Sequence, residues 1–266
     1  KKWKNIMSIL AISGRKRHGK DVVGKIIKYL TGESTVYPFD LNIDYSHKSN
    51  WEVKKFADKL KDIICLLIGC TREQLEDESI KSKELGEEWW YWYMKLDGGY
   101  SPIILDYLTT TKKELKSYEG LELIKPTPRF LLQFIGTNLF RNQLHPEIWV
   151  NSLMSEYTPQ WKEETKVYWK ERLSEYPNFI ITDLRFPNEM EAVKKRGGIT
   201  IRVNRPCDIC GGSGYHKMSC PVSKSGEHLS ETSLDKSEFD YVIDNNSDIE
   251  SLIEKVKEIL KKEKLL

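Results

Sequence analysis

The sequence predicts an α/β protein, a parallel sheet covered by helices on both faces, and three observations carry that prediction. Short apolar runs that suit buried strands alternate with segments whose apolar residues recur at helical spacing, the pattern of βαβ units. The first run ends in a glycine-rich basic loop that opens a helix. A later run, Phe179 to Thr182, ends in Asp183 and leads into another helix and strand. The 266 residues are 39% hydrophobic, the composition of an ordinary globular chain that buries a core without disulfide staples. The net charge is only +2, which removes the strongest sequence argument for nucleic acid or a membrane surface as partner. The longest apolar run, Ile63 to Ile68, reads as buried core and falls well short of the roughly 18 residues of a membrane span.

In chain order, Met7 to Ser13 reads as a buried strand, and Lys20 to Leu30 as a helix with Val22, Val23, Ile26, Ile27 and Leu30 on one face. Val53 to Phe56 reads as a brief strand. Asp58 to Ile68 reads as a helix packed through Leu60, Ile63, Ile64, Leu67 and Ile68. Residues 71–125 break this alternation and are expected as a helical insertion, with Thr71 as a helix N-cap and Trp89 to Tyr93 as an aromatic cluster placed mostly in core. Thr127, followed by Pro128, opens a helix to Asn142 that buries Phe130, Leu131, Phe134, Ile135 and Leu139. Another helix is expected from Glu147. Then come the strand ending at Thr182, a helix from Pro187 to Lys195, strands at Thr200 to Val203 and Tyr241 to Ile243, and a closing amphipathic helix through Ile249, Leu252, Ile253, Val256, Ile259 and Leu260. No internal repeat is visible. The basic start, Lys1 to Lys4, leads into a strand without the small-residue cleavage site of a signal peptide.

The chemistry centres on Gly14 to Lys20, which fits G-x-x-x-x-G-K between a buried strand and a helix start. Glycines let backbone N–H groups close around phosphate oxygens, and the helix N-terminus adds positive potential there. Lys20 reaches the β- and γ-phosphates, and Lys16 and Arg17 add charge. The Ser or Thr that usually follows the lysine is Asp21 here, with Val22 after it; a carboxylate can hold Mg²⁺ directly or through water. Asp183 is placed as the acid that steers Mg²⁺ in such sites, although buried strands also end in Asp for turn chemistry.

These residues make the chain resemble the bacteriophage deoxynucleoside monophosphate kinase family. The resemblance rests on GRKRHGKD, FADKLKD from Phe56, TREQLED from Thr71, TPRFLLQFIGTNLFRNQLHPEIWV from Thr127, TDLRFPNEMEAVKKRGG from Thr182 and HLSET from His228. It implies a P-loop NTPase-type fold related to adenylate kinase, three α/β/α layers with a mobile lid, in one kinase domain over 1–266. It further implies that Gly14, Lys16, Arg17, Gly19, Lys20 and Asp21 hold ATP and Mg²⁺, with Val22 standing where a Thr is common. Lys61, Arg129, Thr137, Trp149, Asp183, Arg185 and Glu189 are implied to bind the monophosphate, with Lys20, Arg17, Arg129, Asp183 and Arg185 as the catalytic set. Lys81 and Lys83 are further phosphate contacts to test. Taken singly, Arg129 could serve a surface ion pair, Trp149 the core, and Arg185 with Glu189 an i,i+4 pair.

Five cysteines are an odd number, and Cys207, Cys210 and Cys220 cluster with His216 as C-x2-C-x5-H-x3-C. This donor set and spacing point to a structural Zn²⁺ in a small insertion at 205–230 near the lid, with His228 the alternative to His216. Cysteines read as metal or redox residues rather than a disulfide framework, with a start that does not read as a signal peptide, make the cytoplasm the expected location. The expected partner is a small-molecule nucleotide, with neither membrane nor nucleic acid, and a homodimer left open. Two other readings remain at this level: a kinase like phosphomevalonate kinase, whose loop is similar to KRxxGKD, and a zinc-containing nucleic-acid-binding accessory protein.

Overall fold

The computed structural model describes residues 8–32, 38–45, 49–94, 103–115, 120–162, 173–206, 211 and 232–266. Its elements are β1 (Ile9–Ser13), α1 (Lys20–Leu30), β2 (Trp51–Lys54), α2 (Asp58–Ile68), α3 (Arg72–Glu76), α4 (Glu78–Lys81), β3 (Tyr91–Met94), β4 (Ile103–Asp106), α5 (Lys112–Leu115) and β5 (Leu121–Ile124). After these come α6 (Pro128–Gln133), a π-helical stretch (Phe134–Leu144), α7 (Ile148–Met154), β6 (Gln160–Lys162), β7 (Leu173–Glu175), β8 (Asn178–Ile181), α8 (Pro187–Lys194), β9 (Ile199–Asn204), β10 (Tyr241–Asp244) and α9 (Ile249–Lys262). They divide into two compact units, Lys1–Phe56 with Trp149–Leu266, and Ala57–Ile148.

The first unit is built on a five-stranded sheet in the order β10-β9-β1-β8-β2, every pair parallel. Side chains alternate along β1. Leu10 and Ile12 join Val23, Ile26 and Ile27 of α1 and Leu252, Val256 and Leu260 of α9 in one core. On the opposite face α8 lies against β9 and β1, and Gly198 lets Val193 close on Ile9, since a Cβ there would meet Val193 Cγ1 at 2.6 Å. This is the expected three-layer α/β/α arrangement. It places the carboxyl ends of β1 and β8 side by side, where open parallel sheets bind ligands. A short antiparallel pair, β6 with β7, completes the strands. No helix among the described residues is long and apolar enough to cross a membrane.

The second unit departs further from the sequence reading. Helix α2 has its expected bounds, yet only Leu60 and Ile64 are buried, while Leu66 is 84% and Leu67 50% exposed. The apolar run from Ile63 is therefore not a core segment. The expected helical insertion is of mixed structure: α3 and α4 are followed by a three-stranded antiparallel sheet, β4-β3-β5. Tyr91, Trp92 and Tyr93 of the aromatic run lie on its central strand, because large rings suit a pleated surface better than a helix. Those rings are half-buried, not core. Trp90 donates its indole N–H to the Leu85 carbonyl at 2.9 Å and lies under the Lys125 ammonium, 4.1 Å from the ring centre.

Thr127 caps α6 as expected, accepting from the Phe130 N–H. The helix then widens at Phe134 into the π-helical stretch, which ends with the His145 N–H on the Phe140 carbonyl. Pro128, Leu131 and Gly136 are buried while Phe130, Phe134, Ile135 and Leu139 are only half-buried. Gly136 permits the contact with α2, since a Cβ would meet Leu60 Cδ2 at 2.5 Å. The first unit holds one smaller shift: β2 runs Trp51–Lys54, two residues ahead of the predicted strand, because Trp51 supplies the buried anchor while Val53 is 40% exposed on this edge strand.

Candidate functional site

The loop from Gly14 to Gly19 leaves the carboxyl end of β1 and enters α1, whose N-cap is Gly19 with φ +97°. The Lys20 ammonium lies inside the loop, donating to the Gly14 carbonyl at 2.6 Å and the Arg15 carbonyl at 2.8 Å. Lys16 and Arg17 are exposed, Arg17 with φ +66°, a conformation that a non-glycine side chain adopts at a cost. The loop rests on the neighbouring strands. His18 Nδ1 lies 3.2 Å from the Val203 carbonyl, and Asn245 Nδ2 donates to the His18 carbonyl at 3.0 Å. Burial, reinforced by the charges of Lys20, Arg202 and Arg15, lowers the His18 pKa despite the Val203 carbonyl, so the ring is neutral at neutral pH and adds no charge of its own.

In the first turn of α1, Asp21 faces the end of β8. Its Oδ1 accepts from the Thr182 hydroxyl at 2.9 Å and pairs with the Lys55 ammonium at 3.1 Å. Partial desolvation would raise this carboxyl, but Lys55 and the hydrogen bonds from Lys55 and Thr182 outweigh it and hold Asp21 below the ordinary carboxylate range. An ionised carboxylate beside a hydroxyl is a donor set that suits Mg²⁺, which takes few protein oxygens and fills its shell with phosphate and water. Val22 is half-buried and packs against the core instead.

Asp183, next along the chain, is buried, and its Oδ1 accepts from the Phe56 N–H at 2.8 Å, fixing the segment that follows β2. Glu189 is also buried, with Oε2 accepting the backbone N–H groups of Arg185 at 2.9 Å and Phe186 at 3.1 Å. It caps the helix that carries it, which goes beyond the surface pair that spacing alone allows. Arg185 is half-exposed and Trp149 is buried in α7.

Sequence reasoning missed a second set of residues around the loop. Arg15 and Arg202 are both buried, and Asp235 accepts from each, Oδ2 from Arg15 Nη2 and Oδ1 from Arg202 Nη2, both at 2.7 Å. Arg202 also donates to the Ser13 hydroxyl at 3.1 Å. Thr182 and Lys55 were within reach, since each adjoins a segment already singled out. Asn245 and Asp235 carried no sequence signal, because each lies far along the chain from the loop and meets it only in the folded structure.

Within the second unit, the predicted cations share a row of alternating charge. Glu76 accepts from Lys61 and bonds Lys81 at 3.2 Å; Lys81 lies 3.6 Å from Glu78, which in turn binds Arg129. Desolvation would raise Glu76, but the hydrogen bonds and charges of Lys61 and Lys81 bring it down to about 2. The two glutamates hold three cations close together that would otherwise repel. Thr137 is half-buried on the π-helical stretch, and Lys83 is exposed.

Cys207, Cys210, His216, Cys220 and His228 lie outside the described residues. Among the described residues no cluster of three or more His, Cys, Asp or Glu is arranged to hold a metal ion. The family model for deoxynucleotide monophosphate kinase matches residues 122–256. The chain is similar to a putative deoxynucleotide monophosphate kinase of Acanthamoeba polyphaga mimivirus, 26% identical over 49% of this chain and 59% of that protein. It is 28% identical to the deoxynucleotide monophosphate kinase of Enterobacteria phage T4 over 50% of this chain and 45% of that protein. The match thus spans about half the length of each of these relatives. With the corresponding enzyme of Escherichia phage RB69 it is 27% identical over 96% of this chain and 100% of the relative.

Proposed function

This chain belongs to the deoxynucleotide monophosphate kinase family, and from that premise we infer that it transfers the γ-phosphoryl group of ATP to a deoxynucleoside monophosphate, giving ADP and the deoxynucleoside diphosphate. The observation that carries the reading is the Lys20 ammonium held inside a glycine loop at the carboxyl end of β1. An acceptor phosphate oxygen forms a bond to the γ-phosphorus while the bond to the bridging β,γ-oxygen breaks and ADP leaves. The acceptor is already anionic near neutral pH, so the protein supplies alignment and charge rather than a general base. Lys20 and Arg17 neutralise the ATP phosphates, with Gly14, Lys16 and Gly19 lining the loop. Mg²⁺, when bound, supplies charge neutralisation across the phosphates, and Asp21 with Thr182 would hold it. Lys61, Lys81 and Arg129 take the acceptor phosphate, prearranged by Glu76 and Glu78, and Thr137, Trp149, Asp183, Arg185 and Glu189 shape the acceptor's site.

The reading treats 1–266 as one kinase domain with insertions at 71–125 and 205–230, working in the cytoplasm of the host cell. A coupled ADP-release assay with ATP, Mg²⁺, the four deoxynucleoside monophosphates, the ribonucleotides and phosphomevalonate tests it. Turnover is expected on one or more deoxynucleotides; turnover on phosphomevalonate alone, or on none, overturns it. Cys207, Cys210, His216 and Cys220 provide three thiolates and an imidazole, a donor set for a structural Zn²⁺. Metal analysis of the same preparation should find stoichiometric zinc in wild type and none in the Cys207→Ser, Cys210→Ser double variant. A wild-type chain purified without zinc would refute that assignment.

A further inference from the structure

The phosphate loop of this chain holds an internal conflict. Gly14 and Gly19 take positive φ without steric cost, but Arg17 at φ +66° is costly to maintain, and the Lys20 ammonium holds the loop by satisfying the Gly14 and Arg15 carbonyls. That same ammonium must turn to a phosphate when ATP binds. The first turn of the loop then loses its donor at the moment when its N–H groups have to be aligned.

A second tie survives that exchange. The Arg15 side chain is 10% exposed and ends on Asp235 Oδ2, whose other oxygen holds Arg202, 9% exposed, on β9. Arg202 sits opposite Ser13 in the parallel register and donates to its hydroxyl, so the tie runs from the loop to a fixed point on the central sheet. Asp235 itself stands on a turn closed by its N–H on the Thr232 carbonyl and by Ser237 on Leu234, with Leu234 buried beneath. Charge-assisted pairs of this kind are strong and directional, so the carboxylate fixes both guanidinium groups in place.

We propose that Asp235 is a positioning residue for the phosphate loop, joining Arg15 to Arg202 so that the loop keeps its phosphate-binding shape after Lys20 leaves its carbonyls. The role rests on the reading of this loop as the ATP site. It is tested on the full chain by equilibrium titration with Mg²⁺–ATP together with steady-state kinetics, for wild type, Asp235→Asn, Asp235→Glu and Arg15→Met. Both Asp235→Asn and Arg15→Met should weaken ATP binding and raise the KM for ATP about tenfold, the size expected for a charge-assisted hydrogen bond. The KM for the acceptor should not move, and Asp235→Glu should recover most of the loss. Arg15→Met leaves Asp235 and Arg202 as a balanced pair, so it decides the matter if Asp235→Asn, with two facing guanidinium groups, does not fold. Folded variants that bind ATP as wild type does would overturn the role. If wild type itself binds no ATP, the kinase reading falls and the role falls with it.

Discussion

Replacing Lys20 with alanine is expected to lower kcat by about three orders of magnitude, because charge placed on the transferring phosphoryl group is worth that much in phosphoryl transfer. The side chain is positioned for this by its place as the first residue of α1, which aims its ammonium back into the loop toward the Gly14 and Arg15 carbonyls. The fold should survive. The Arg15–Asp235 pair still holds the loop when the donor to these two carbonyls is lost, and the site of substitution is a helix start where a positive charge is mildly unfavourable. A drop in melting temperature of only a few degrees, equivalent to about 1 kcal/mol, is therefore expected. The two measurements separate the roles: ADP release reports the chemistry and the circular-dichroism melt reports the fold. A folded variant turning over at the wild-type rate would remove Lys20 from the reaction and with it the phosphate-loop reading.

What the sequence discloses about this molecule depends on how local the determining forces are. Helix α1 was legible to the residue because its stripe of Val23, Ile26 and Ile27 and the glycine that opens it lie within one segment, and the apolar stripe of α9 was legible because it too is local. Strands β1 and β8 were legible because central parallel strands are apolar throughout. The sheet β4-β3-β5 was not, since Tyr91 to Met94 becomes a strand only when Ile103–Asp106 and Leu121–Ile124 pair with it. The π-helical stretch escaped for a related reason: apolar spacing near Phe134 fits either winding, and the contact of Gly136 with Leu60 is tertiary. At the site, the motif marked Lys20 and Asp21. It could not show that Thr182 and Lys55 hold Asp21, or that Asp235, far along the chain, ties the loop to β9.

Gly14→Ala should be the most damaging single-methyl change in the loop, costing about 2–4 kcal/mol from overpacking and backbone strain together. β1 ends with Ser13 level with Arg202, so Gly14 passes directly beside Val203. A Cβ there would stand 2.5 Å from the Val203 carbonyl oxygen, at a φ of +154° that L side chains rarely adopt. That oxygen belongs to the backbone of a central-sheet strand and also faces His18 Nδ1, so it cannot yield without moving β9 or releasing the loop. Gly19→Ala supplies the contrast. Its Cβ would meet Asn245 Nδ2 at 2.7 Å, a side chain that can rotate away, leaving mainly the cost of φ +97° and of the lost bond to the His18 carbonyl. Urea unfolding of both variants should therefore place the Gly14→Ala midpoint well below that of Gly19→Ala at a similar m-value, while both lose ATP affinity. Equal midpoints would mean that β9 gives way as easily as one asparagine side chain, and the sheet would not be the rigid support on which the loop's geometry depends.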